Sequence, residues 1–330
     1  MQATNAAAPP FWFNAGKLIS RHRMRFARIL SAAILLCTEN VTAAAPLDVV
    51  EIAPGNFVHY GVVGERAPVN LGDNANIGFI VGSRCVLVVD TGGTRALGER
   101  LRAAIRTVTD RPVCHVVITH AHPDHYFGAA ALRADGAEVI GHEHLSRQLS
   151  ARARFDLGAL QRDLGALAEG SESVPPTRTV AAGATVGIDL GDRIVEIRGW
   201  PPAHTDHDLT VFDRSTRTLW TSDLLFIEHT PVLDSNITGF LAVMEELRAI
   251  DAAQYVAGHG RSQAGWPQVL EPQHRYFSRI LEETRAAIRR GDTLMEAVHR
   301  IGLSEKDRWA LFDTYHRRNV TTAWTELEWE

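Results

Sequence analysis

The stretch Thr119-His120-Ala121-His122-Pro123-Asp124-His125 follows directly on the apolar run Val116-Val117-Ile118. Three imidazoles and a carboxylate packed this closely fit poorly with core packing. Imidazole nitrogen and carboxylate oxygen are instead the donors preferred by zinc and other borderline divalent metals. In an extended segment His120 and His122, two residues apart, project to the same side. Asp124 and His125 lie beyond the Pro123 turn and can face a second point. The spacing therefore predicts a metal pair.

Single candidate ligands follow downstream, each beside a strand-like run. His204 lies in the loop Pro201-Pro202-Ala203-His204-Thr205-Asp206-His207-Asp208, Asp223 ends Leu219-Trp220-Thr221-Ser222-Asp223, and His259 follows Tyr255-Val256-Ala257-Gly258. Upstream, Asp90-Thr91-Gly92-Gly93 forms a turn after Cys85-Val86-Leu87-Val88-Val89. In this order the motifs resemble the metallo-β-lactamase superfamily, most closely its glyoxalase II-like arrangement, over roughly Val49 to Gly265. The resemblance implies that His120, His122 and His204 hold a first metal. It implies that Asp124, His125 and His259 hold a second, with Asp223 bridging. Two Zn2+ per chain would then acidify a bound water to hydroxide and polarise the substrate oxygen. Asp124 would be both ligand and catalytic residue, and Asp90 an outer partner of a ligand histidine.

Each residue also has a plainer reading. His204 or His259 alone would be an ordinary core or surface histidine, and Asp223 alone a turn or helix-capping residue. The ordered set reverses that judgement. His207 and Asp208 either line the pocket, hold a ligand or shape their loop. His115, His142, His144, His274, His299 and His316 read as structural or surface residues, and Tyr126, His229 and Arg261 as candidates to face substrate because they neighbour ligands in sequence.

The N-terminus has a different character. Arg21, Arg23, Arg25 and Arg28 precede the apolar Ile29–Leu36 segment, and Ala43-Ala44-Ala45 precedes Pro46. That pattern predicts a secretory signal peptide over residues 1–45, with Met24 as an alternative start. The apolar run is too short to span a bilayer stably, although a membrane anchor and an untargeted leader stay as rival readings. The leader carries five basic residues and one acid, so removing its net +4 takes the whole-chain −5 to −9. Such an acidic mature chain disfavours nucleic acid and anionic membranes as partners. It suits a small-molecule enzyme of the periplasm. Cys37 would leave with the leader. Cys85 and Cys114 each open a strand-like run, and either a disulfide or two separate thiols fits them.

The 330-residue chain is 45% hydrophobic and 22% charged, ordinary for a globular protein. Strands are expected at 56–61, 77–82, 113–119, 138–140, 185–200, 209–212, 218–221 and 254–257. Helices are expected at 97–108, from 126, across 144–167 over the metal site, at 240–250 and from 267 to the end. This order suits an α/β protein with two sheets and outer helices, and the resemblance resolves it as an αββα metallo-β-lactamase sandwich. Residues 46–265 would form the catalytic domain and 266–330 a C-terminal helical extension packed on it.

Within the superfamily, true β-lactamases carry Cys or Ser where this chain has Asp223, which disfavours antibiotic hydrolysis. Asn74–Gly82, Arg111-Pro112-Val113 and Pro202–Leu209 look like the exported quinoprotein relay system zinc metallohydrolases. The resulting expectation is a dinuclear zinc hydrolase of an ester, thioester or lactone, associated with a periplasmic quinoprotein system. Two alternatives are a glyoxalase II-type hydroxyacylglutathione hydrolase, with Arg275, Arg279, Arg285 and Arg289 gripping glutathione, and a mono-iron persulfide dioxygenase-like oxidoreductase. The complete second ligand set argues against a single iron.

Overall fold

A computed structural model describes residues 44–330. The expected leader therefore lies outside the described residues, except for Ala44 and Ala45. Strands β1 (Val50–Ala53), β2 (Asn56–His59), β3 (Ile77–Val81), β4 (Val86–Val89), β5 (Val113–Val117), β6 (Glu138–His142) and β7 (Arg178–Val180) follow one another across one sheet. Strands β8 (Thr185–Asp189), β9 (Ile194–Gly199), β10 (Leu209–Asp213), β11 (Thr218–Phe226) and β12 (Gln254–His259) form the second. The first sheet is antiparallel up to β4 and parallel from β4 to β7, and β11 and β12 are the parallel pair of the second. The helices are α1 (Arg95–Val108), α2 (Pro123–Tyr126), α3 (Ala129–Leu132), α4 (Leu145–Leu164), α5 (Ile237–Arg248), α6 (Glu271–Arg290), α7 (Leu294–Ala297) and α8 (Phe312–Leu327).

The strands at the centre are buried on both faces, so alternate residues feed different cores. On β4 and β5, Leu87, Val89 and Val117 point between the sheets and meet Val195, Ile197, Leu209 and Val211. Val86, Val88 and Val116 point outward, where Leu97, Leu101 and Ile105 of α1 and Leu149 and Leu160 of α4 cover them. Across the second sheet Leu219 and Ala257 face α5, α6 and α8 through Phe240, Val243, Phe277 and Val320. Three apolar layers therefore separate helix, sheet, sheet and helix: an αββα sandwich. The helices after Gly265 belong to the same compact unit as the sheets. Among the described residues no helix is long and apolar enough to cross a membrane.

Two details depart from what the sequence predicts, and one open alternative is resolved. The helix expected from Tyr126 begins earlier, at Pro123, whose fixed φ suits the first helical position. Asp124 and His125 therefore ride on its first turn. Strand β11 runs through Asp223 to Phe226, so Asp223 lies inside a strand and not at its exit. The register of β11 on β12 slips on either side of Ser222, whose φ of 47° is left-handed. This bulge turns the Asp223 side chain to the sheet edge. Finally, Cys85 is buried and Cys114 half-buried, and both are free thiols. Burial, with Cys114 alongside, pushes the Cys85 thiol up to about 12.

The turn after β4 and helix α1 both pack against the backbone of Gly128. A Cβ on Gly98 would lie 2.1 Å from the Gly128 carbonyl oxygen, and one on Gly128 would lie 1.9 Å from that of Thr91. Gly98→Ala should therefore destabilise the fold by about 1–3 kcal/mol, the usual cost of overpacking a tight site. Urea unfolding checks this, and an unchanged midpoint contradicts it.

Candidate metal centre

β4, β5, β11 and β12 all deliver chemistry at one edge of the sandwich. Asp90 follows β4, His120 to His125 follow β5, Asp223 sits at the β11 bulge and His259 ends β12. His204 comes from the loop between β9 and β10. The structure brings all seven expected ligands into two adjoining groups that could hold metal ions: His120, His122, His204 and Asp223, and then Asp124, His125 and His259.

In the first group His122 Nδ1 lies 3.0 Å from both His120 Nε2 and His204 Nε2. Asp223 Oδ2 closes the group at 3.5 Å from His120 Nε2 and 3.4 Å from His204 Nε2. Its other oxygen, Oδ1, faces the second group, 3.2 Å from His125 Nε2 and 3.4 Å from His259 Nε2. Asp124 Oδ2 completes that group at 3.6 Å from His259 Nε2 and 3.9 Å from His125 Nε2. One carboxylate thus presents one oxygen to each group. His125 Nε2 and Asp223 Oδ1 are buried without a hydrogen-bond partner. Buried polar atoms are normally satisfied. Converging imidazole nitrogens and carboxylate oxygens left open in this way fit divalent metal ions.

The far side of each ring is fixed, as metal-binding histidines require. His125 Nδ1 pairs with Asp90 Oδ2 at 2.9 Å, which gives Asp90 the outer role expected of it. The same carboxylate accepts from the hydroxyls of Thr119 and Ser222 at 2.8 and 3.2 Å. His204 Nδ1 donates to the Val232 carbonyl at 2.8 Å, and His259 Nδ1 to that of Asn74 at 3.0 Å. His122 Nε2 donates to Asp234 Oδ2 at 2.9 Å. The sequence reading missed Asp234.

Burial and charge divide the two groups' neighbours. Burial depresses His204 to about 4. Burial acts the same way on His122, but the Asp223 and Asp234 carboxylates lift it to about 9. Two imidazoles 3.0 Å apart thus differ widely, because like charges at that distance cannot both persist. Burial also opposes charge on His125, yet Asp223, Asp90 and Asp124 hold it well above the usual imidazole value. On Asp223 the same burial penalty is overcome by His259, His125 and His120.

The groups open into a cavity of about 350 Å3. Its walls include Arg152 and Phe155 of α4, so the segment 144–167 does overhang the site as expected. Phe226, His229 and Tyr315 form an aromatic wall beside His259: Phe226 stacks on that ring at 5.1 Å, and His229 leans on it at 4.9 Å. Burial, with His259 beside it, lowers His229 to about 4, so it is a neutral wall residue. Tyr126 does not face the cavity; it is buried and bonds Asp156 from below. Arg261 lines a separate hollow with Tyr60. His207 accepts from the Ala121 amide at 2.9 Å and Asp208 accepts from Thr205, so both shape the loops that carry ligands. Arg275 and Arg285 are engaged by Glu305 and Glu330, and none of the four arginines proposed to grip glutathione lines the cavity. Tyr315 and Arg318 of α8 do line it. The sequence reading had assigned that helix to packing.

The sequence profile of the metallo-beta-lactamase superfamily matches residues 71–289. No curated protein matches the chain. Among solved structures, a metallo beta lactamase from Hirschia baltica aligns with a TM-score of 0.55 at 20% identity, over 71% of this chain and 98% of that one. A metallo-beta-lactamase from Pontibacter korlensis aligns at 0.53 and 16%, over 70% and 99%. The stereoselective inverting sec-alkylsulfatase Pisa1 from Pseudomonas sp. aligns at 0.63 and 15%, over 84% of this chain but 50% of its own. At these identities the likeness is one of fold.

Two substitutions test the geometry. A Cβ on Gly258 would stand 1.9 Å from Asp223 Oδ1. Gly258→Ala should therefore displace the shared carboxylate and weaken metal binding at least 10–100-fold, the usual effect of disturbing an outer partner. Asp234→Ala should release His122 and cost a similar factor. Titration against a metal buffer reads both, and wild-type affinity in both variants contradicts the arrangement.

Proposed function

This chain belongs to the metallo-beta-lactamase superfamily, and from that premise we propose that it is a dinuclear zinc hydrolase acting on an ester, thioester or lactone. The observation that carries the proposal is Asp223, with one carboxylate oxygen turned to each ligand group. Donor chemistry supports zinc: five imidazoles and two carboxylates, without a thiolate. When bound, the zinc pair supplies Lewis acidity and draws the pKa of water towards neutrality.

The chain's own residues do the rest. Asp124, half-buried in the cavity, is kept ionised by His125 and His259 against the cost of burial, and as a carboxylate it accepts a hydrogen bond from the attacking water and orients it. Asp223 keeps the two ligand groups in register, and Asp90 and Asp234 hold His125 and His122 in the rotamers that face inward. Phe226, Phe155 and Val232 line the cavity with apolar surface. Hydrolysis of glutathione thioesters is less well supported, since Arg275 and Arg285 are already paired away from the cavity. The complete second group argues against a mono-iron dioxygenase. The leader pattern supports a periplasmic location, and the motif resemblance supports work beside a quinoprotein system.

The test is zinc content and hydrolysis of a panel of esters, thioesters and lactones, with sulfate esters added because an alkylsulfatase shares the fold. Wild type should carry two zinc ions. The His125→Ala, His259→Ala double variant should fall towards one and lose at least 100-fold in kcat/KM. One iron per chain, unaffected by the variant, sinks the proposal.

A further inference from the structure

A second cavity, of about 320 Å3, adjoins the first on the far side of His122. The two share three lining residues: His122, Arg152 of α4 and Arg318 of α8. Two guanidiniums from separate helices thus stand where the cavities meet, beside a ring of the first ligand group. Gln148, Thr205 and Ser235 add neutral polar side chains to the second cavity.

Each guanidinium pairs with one carboxylate and has further N–H donors beyond that pair. Arg152 reaches Asp156 through two contacts of 3.3 Å each. Arg318 Nη2 lies 2.7 Å from Asp234 Oδ1, yet that oxygen has no aligned hydrogen-bond donor. The fork of Arg275 on Glu305, at 3.0 and 2.8 Å, shows a saturated pair in the same protein. Arg152 and Arg318 keep side-chain exposures of 39% and 54%, and so have N–H groups free to meet a ligand. The acids of the second cavity do not compete for a cation. Asp206 is taken by Arg147, Gln148 and His207 at 2.6, 3.0 and 2.7 Å, and Asp234 by His122 and Arg318.

We infer that this second cavity is a subsite for an anionic group of the substrate, a carboxylate, sulfonate or sulfate seated between Arg152 and Arg318. The reacting bond then lies over the ligand groups in the first cavity. Only this last assignment depends on the hydrolase proposal; the subsite itself does not. A planar guanidinium matches a carboxylate or sulfonate through paired N–H donors, and charge-assisted bonds are about twice as strong as neutral ones. Substrates with an acidic group at one end would be selected over neutral ones of the same size.

Calorimetry on the zinc-loaded full chain tests this with benzenesulfonate, a weak metal ligand, and methyl phenyl sulfone, its uncharged counterpart. The sulfonate should bind at least tenfold more tightly to wild type, and Arg152→Gln and Arg318→Gln should each remove about tenfold. Arg318→Lys should restore part of the loss. Zinc content measured on each Arg318 variant separates this effect from disturbance of His122 through Asp234. Equal affinity for sulfonate and sulfone, undetectable sulfonate binding at millimolar concentration, or unchanged sulfonate affinity in both glutamine variants overturns the inference. Wild type that selects the sulfonate but hydrolyses no ester, thioester, lactone or sulfate ester overturns the hydrolase proposal and leaves the subsite standing.

Discussion

The candidate centre depends on one buried carboxylate that must face two ways. Asp223 is almost wholly enclosed, and its two oxygens lie among five imidazoles. Burying a charge is costly unless oppositely charged or donating groups compensate it. Here the compensation comes from His120, His125, His204 and His259, and divalent cations in the two groups would complete it. Most of the surrounding structure serves to hold that carboxylate in position. The left-handed Ser222 breaks the register of β11 on β12 just before Asp223, and Gly258 leaves room for Oδ1. Asn76 ties the β12 exit by donating to the carbonyls of Ala257 and Gly260 at 2.9 and 2.7 Å.

A second layer of acids carries this constraint outward. Asp90 fixes His125, binds Thr119 and Ser222, and so connects the ends of β4 and β5 to the bulge of β11 through one carboxylate. Asp234 does the same for His122 and touches Arg318 of the last helix. α8 is anchored by Phe312, Val320 and Trp324 in the outer core while its Tyr315 and Arg318 line the cavity at the candidate centre, so it serves the cavity wall as well as the packing. Stability and site geometry are thereby coupled: loosening α8 would move a cavity wall.

The candidate ligands were legible in the sequence because each stands beside an apolar run, and the imidazoles and carboxylate of the His-rich motif marked their donor chemistry. The three-layer sandwich was less so. Strands such as Val86–Val89 are apolar at every position, and such runs do not reveal which side each residue faces. Asp234 was missed because it meets His122 across 112 residues of chain, and no local pattern marks such a contact. The placement of Asp223 inside β11 depends on a left-handed serine, which propensity disfavours and only the packed bulge allows. Tyr315 and Arg318 lie on a helix whose other face is buried, and periodicity alone does not tell a solvated face from a cavity wall.

Anomalous diffraction from zinc-loaded crystals would locate the metal ions themselves. Two peaks roughly 3.5–4 Å apart are expected, one among His120, His122 and His204 and one among Asp124, His125 and His259, with Asp223 between them. A single peak within the first group, with His125 and His259 turned to other partners, would contradict the two-metal arrangement.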